Sequence, residues 1–93
     1  MPRSLQVWAW IGWPDNATSA VCILAATSQA QVARAAGVKS PARLWNLGVT
    51  GNDEEIRQAM SSPGTIFWYP TSERNLRPPG QSPKWRRGWP RQR

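Results

Sequence analysis

From Leu5 to Trp13 apolar side chains recur at alternate positions, and this period of two constrains the fold more than any other feature of the chain. Leu5, Val7, Ala9 and Ile11 lie on one side, with Gln6, Trp8 and Trp10 on the other, as successive residues of a strand require. Trp13-Pro14-Asp15-Asn16 then predicts a turn. The next apolar run, Ala20 to Ala26 (AVCILAA), is short and rich in branched residues, which suits a second strand antiparallel to the first.

Helical signals follow. Ser28 as N-cap, Gln31 three residues later and Gly37 at the far end predict a helix with Val32, Ala33 and Ala36 turned inward. Ser40-Pro41 predicts a second, short helix through Asn46, because proline suits a first helical turn. Asn52 caps a third helix over 53–60, with Asp53, Glu54 and Glu55 at its positive end and Ile56, Ala59 and Met60 as its apolar stripe. Ser62-Pro63-Gly64 turns the chain into a final strand, Thr65 to Tyr69. This order predicts an α+β fold: a small three-stranded antiparallel sheet with two or three helices on one face.

Charge divides the chain near Pro70. Residues 1–70 hold five cations against four acids, a net of +1, and residues 71–93 hold seven cations against Glu73, a net of +6, together the +7 of the whole. The second segment also carries Pro78, Pro79, Pro83 and Pro90 and little that can join a core. The expected organisation is a compact domain over 1–70 and a flexible, disordered basic tail over 71–93. In 93 residues only about 60–65% of the unfolded surface is buried, so the core is small.

Missing residue types narrow the function. There is no His, one Cys (Cys22) and five carboxylates. One thiol and no imidazole cannot build a structural zinc site, and no His-dependent triad or usual acid–base pair can be assembled. No catalytic, cofactor-binding or metal-binding residue is therefore assigned, and the chain is expected not to be an enzyme. The Asp53-Glu54-Glu55 triplet reads as a dipole-complementing first turn, since consecutive helix positions point about 100° apart and cannot converge on a cation. Gly48 to Asn52 lacks the spacing of a nucleotide loop and reads as a plain turn. No export signal is visible, and Ala20–Ala26 is far short of the about 20 apolar residues that span a bilayer, so a cytoplasmic location is expected. Asn16-Ala17-Thr18 matches a glycosylation sequon that such a location leaves unused.

Three features point to binding. Thr27 to Leu47 resembles a helix-turn-helix, with Ala33 and Gly37 at the contact and turn positions and Lys39 and Arg43 near the start of the second helix. Arg43 replaces the expected branched apolar residue, however, and strands rather than a third helix precede the motif, so a structural helix and turn is favoured. Seven Trp is a large share, and Trp8, Trp10, Trp68 and Tyr69 form the candidate protein-binding set. Two arrangements are open: the rings emerge on an uncovered sheet face, as an interaction site or dimer interface, or they turn inward as the core. In the tail, Lys84, Trp85, Arg86, Arg87 and Trp89 interleave cations with rings, a composition suited to nucleic acid or an anionic membrane surface.

The segments WAWIGWP (8–14), ILAATSQAQVARAAG (23–37), NLGVTGNDEEI (46–56) and SPGTIFWYP (62–70) resemble a family of small accessory proteins encoded by bacteriophages of actinobacteria. The resemblance covers about residues 5–70, leaves out the basic tail, and concerns overall pattern rather than a catalytic motif. It implies a non-enzymatic protein in the cytoplasm of an infected host cell that binds a host bacterial protein and inhibits or redirects it. The alternative is a small DNA-binding protein that uses Lys39, Arg43 and the Arg-rich tail.

Overall fold

The computed structural model describes residues 4–13, 18–74 and 84–88. Pro14, Asp15 and Asn16 of the expected turn, the last also the sequon's Asn, all of 75–83, and Trp89 lie outside the described residues. Two strands form the centre of the sheet: β1 (Gln6–Gly12) and β2 (Ala20–Ala26), antiparallel in a register that pairs Gln6 with Ala26 and Gly12 with Ala20. β3 (Trp45–Val49) adds to the free side of β1, and β4 (Phe67–Pro70) to the free side of β2. β5 (Arg86–Arg87) then pairs with β4, giving a five-stranded antiparallel sheet in the order β3-β1-β2-β4-β5. The fold is α+β, with five strands where three were expected.

The helices are α1 (Gln29–Ala36) and α2 (Asp53–Met60). At the start of α1 the Ser28 hydroxyl accepts from the Gln31 N–H at 3.3 Å, and the Gln31 side chain accepts from the Thr27 N–H at 2.9 Å. At its end Gly37 takes φ +80°, donating to Arg34 while Val38 donates to Ala33 at 3.0 Å. This pair of bonds is a Schellman closure, and it requires the left-handed residue that glycine supplies. α2 opens with the Asn52 side chain accepting from the Glu55 N–H at 3.0 Å. Both helices sit where capping chemistry places them.

The helices do not share a face. Val32 and Ala36 of α1 pack with Trp8, Trp10, Cys22, Leu24 and Ile66, whereas Ala59 of α2 packs with Val7, Ile23, Ala25 and Phe67 on the other side. The reason lies in β2, whose seven residues are all buried. A central strand that is apolar on both sides needs cover on both sides, and the successive connections from β2 to β3 and from β3 to β4 supply it. Met60, expected in the apolar stripe of α2, is instead 44% exposed, beyond the reach of the sheet.

The short helix expected from Ser40 to Asn46 is absent. Pro41–Arg43 makes one 3-10 turn, and the chain straightens into β3 at Trp45. Between the Ala9–Gly48 and Ile11–Trp45 pairs, β3 uses three steps where β1 uses two, so β3 carries one extra residue. Asn46 takes φ +58° there, a conformation that Asn tolerates better than most residues. An extra residue moves everything beyond it to the other side of the sheet. Leu47 packs in the Trp8 layer, while Trp45 crosses to the side of Ile11 and α2.

Candidate functional site

The sheet sorts the described tryptophans into three environments. Trp8 and Trp10 are 8% and 2% exposed, covered by α1 and by Leu44 and Leu47. The Trp8 indole N–H donates to the Ala26 carbonyl at 3.2 Å, so burial leaves its one polar group satisfied. The arrangement in which Val7, Ala9 and Ile11 face the helices and Trp8 and Trp10 emerge on an open face is therefore corrected: both rings are core. Trp68 lies on the same side, half-buried at the margin of that layer, whereas Tyr69 points to the opposite side and is buried. The four candidate rings are thus not one surface.

The second environment is the margin of the sheet beside β3. Trp13 continues the phase of Val7, Ala9 and Ile11, and its ring meets that of Trp45 with centroids 6.1 Å apart and planes at 45°. The two are 41% and 58% exposed. Next to them a cleft of about 350 Å³ is floored by Ala9, Ile11 and Val21 and walled by Asn46, Gly48 and Glu55. Glu55 is held in place by the Thr50 hydroxyl, which donates to its carboxylate at 2.8 Å, and Thr50 in turn accepts from the Asn52 N–H. The acidic first turn therefore serves as cap and cleft wall. Among the described residues no group of three or more His, Cys, Asp or Glu converges on a point that a metal ion would occupy.

Trp13 and Trp45 were not among the residues singled out from the sequence. The signal for Trp13 was its phase with Ile11. For Trp45 it was Asn46 followed by Leu47 and Gly48, residue types that fit a strand carrying a left-handed bulge.

The third environment is the far margin, beside β5. Trp85 is half-buried and meets Tyr69 edge-on, with centroids 4.9 Å apart and planes at 80°. The Arg86 guanidinium lies 5.2 Å from the Trp68 ring centroid and bonds the Glu73 carboxylate at 3.0 Å, while that of Arg87 lies 5.7 Å from the Phe67 centroid. Lys84 is exposed. Residues 71–74 form a 3-10 turn, and residues 84–88 belong to the sheet edge, so the expected break at Pro70 does not separate these residues from the domain. The reason is local: Arg stems and a Trp ring cover the aromatic residues of β4, an apolar gain that the tail's composition concealed.

Lys39 and Arg43 are exposed, but on the connection between α1 and β3 rather than on a helix. The second helix of the helix-turn-helix reading does not form. These two cations also lie by β3, four strand spacings (about 19 Å) from Arg86 and Arg87. Among the described residues, Lys39 and Arg43 do not share one patch with Arg86 and Arg87.

Cys22 is fully buried opposite Trp10, and burial pushes its thiol from the ordinary 9.0 up to about 12, partly offset by a backbone hydrogen bond with Gly12. It is a packing residue, not an activated nucleophile. No described helix is long and apolar enough to cross a membrane. No protein-family model, curated protein or solved structure matches the chain.

Proposed function

We propose that the protein is a non-enzymatic binding module that captures a host bacterial protein, as the resemblance to accessory proteins of actinobacterial bacteriophages implies, and inhibits or redirects it. The contact surface is the margin beside β3: the Trp13–Trp45 pair as anchor and the adjoining cleft as the pocket for a partner side chain. The observation that carries this reading is the 58% exposure of Trp45 on a strand whose bulge turns it away from the core. Exposed tryptophan beside a preformed cleft is the composition of an interface hot spot. The separation of Lys39 and Arg43 from Arg86 and Arg87 makes a nucleic-acid surface the weaker reading.

The test is affinity capture from nuclease-treated actinobacterial lysate with three forms of the full chain. The expected result is a single host protein held by the native chain and by Arg86→Glu but lost with Trp45→Ala. Capture that needs nucleic acid, or that survives Trp45→Ala and fails with Arg86→Glu, overturns the proposal in favour of the basic margin.

A further inference from the structure

The two margins of the sheet are built from the same kinds of group, but one of them lacks a piece. At the β5 margin a ring and a carboxylate hold a guanidinium: that of Arg86 lies 5.2 Å from the Trp68 ring centroid and bonds the Glu73 carboxylate at 3.0 Å. At the β3 margin the ring is Trp45, 58% exposed, and the carboxylate is Glu55 in the wall of the adjoining cleft. Among the described residues no cation lies over Trp45 and none pairs with Glu55. Arg57, two positions further along α2, is exposed and makes no ion pair among them. The Glu55 side chain is nonetheless fixed, because one carboxylate oxygen accepts from the Thr50 hydroxyl at 2.8 Å. Its second oxygen accepts no hydrogen bond from a described residue.

We infer that the cleft receives an arginine side chain of the partner protein, an inference that rests on the binding role proposed above. Each part of that side chain meets matching chemistry. Ala9, Ile11 and Val21 in the floor cover the aliphatic stem. Glu55 accepts from the guanidinium, and the planar head stacks on Trp45 as Arg86 does on Trp68. A lysine ammonium is more strongly hydrated and lacks the planar fork, so it fits the same groups less well. Gly48 keeps the entrance open. It pairs with Ala9, which places it on the cleft side of β3, and a Cβ built there meets nothing within 4 Å. Residues 1–70, which build the cleft, carry a net of +1 against +6 for 71–93, so an incoming cation meets little opposing charge from the cleft's own segment.

The experiment is an NMR titration of the isotope-labelled full chain with N-acetyl-arginine amide, beside N-acetyl-lysine amide and the uncharged N-acetyl-citrulline amide. A ligand of about 15 non-hydrogen atoms is expected to bind with Kd on the order of 1 mM. The shifts should centre on the Gly48 and Glu55 amides and the Trp45 indole N–H. The lysine compound is expected to bind about threefold more weakly and the citrulline compound about tenfold. Glu55→Gln keeps an acceptor for Thr50 but removes the charge, and should weaken arginine binding about tenfold. Gly48→Leu fills the entrance from a backbone position that accepts a side chain, and should abolish binding with the circular dichroism spectrum unchanged. Absence of shifts at those three groups up to about 50 mM overturns the inference. So does equal binding of the lysine or citrulline compound, or arginine binding that Glu55→Gln leaves unchanged. No host protein enters the titration, so the two readings fail separately. Arginine binding without host capture leaves the cleft chemistry standing, whereas capture that needs Trp45 but is indifferent to Glu55→Gln removes only the arginine.

Discussion

Trp8 and Trp10 at the sheet centre and Trp13 and Trp45 at its β3 margin are the same residue type put to opposite uses. Trp8, Trp10 and Trp13 lie within one stretch of six residues, and nothing in their composition tells them apart. Parity does. Even positions of β1 meet α1 and become core, while odd positions meet the side of α2, whose eight residues reach Val7 and Phe67 but leave the Ile11 end open as a cleft. Trp45 reaches that open end only because one extra residue in β3 reverses its side. A large ring becomes core or contact surface here by a single step of register.

The sharpest way to break this comparison is Trp10→Ala. It is expected to cost about 3–5 kcal/mol, close to the whole stability of a domain this small, and urea unfolding followed by circular dichroism measures it. A cost no larger than that of Trp45→Ala would show that the two regions do not differ. Cys22, opposite Trp10, tests the same layer by pH. Its folded thiol titrates near 12 against 9.0 unfolded, so between those values the folded chain holds the extra proton. This contribution is whole below about pH 9 and is lost as pH rises to about 12, by about 1.4 kcal/mol per unit within the window. Denaturation midpoints across that range should fall for the native chain and fall less for Cys22→Ala.

Smaller changes sharpen the contrast. Asn46→Val places a branched residue at φ +58° and is expected to cost about 1–2 kcal/mol. Trp8→Phe keeps a ring in place but removes the indole N–H that donates to the Ala26 carbonyl, an expected loss of about 0.5–1.5 kcal/mol by the same unfolding measurement. Trp45→Ala is expected to change stability least, by about 0.5 kcal/mol, while removing partner capture. That variant separates binding from folding.

Much of this architecture is legible in the residues. Alternation places β1, the apolar run AVCILAA places β2, and Ser28, Gly37 and Asn52 mark helix ends that the structure keeps within a residue. β3 was hidden because Ser40-Pro41 is a sound helix start, and the turn it begins does form over Pro41–Arg43. What ends it is tertiary: Leu44 and Leu47 are drawn onto the Trp8 layer, and a strand with one extra residue at Asn46 brings these positions, three apart, to the same side. The side taken by each helix was illegible for a related reason, since a run buried on both faces reads the same as one buried on a single face. β5 was concealed by its charge. Arg86 and Arg87 resemble a solvated tail until the rings of Phe67 and Trp68 are known to lie beneath them. The candidate site was the least legible part, because it depends on the bulge at Asn46, and periodicity averages such single-residue shifts away.

The strand order β3-β1-β2-β4-β5 also bears on how the chain is made. β1 and β2 are synthesised before the strands that flank them, and each later strand attaches to an edge that already exists. No strand has to wedge between two that are already paired, and the first pairing joins segments separated by a short connection. Growth outward in order of synthesis keeps loop closure inexpensive at the first step. A nascent chain halted before Phe67 would present the apolar outer edge of β2 bare, and it is the arrival of β4 that covers it.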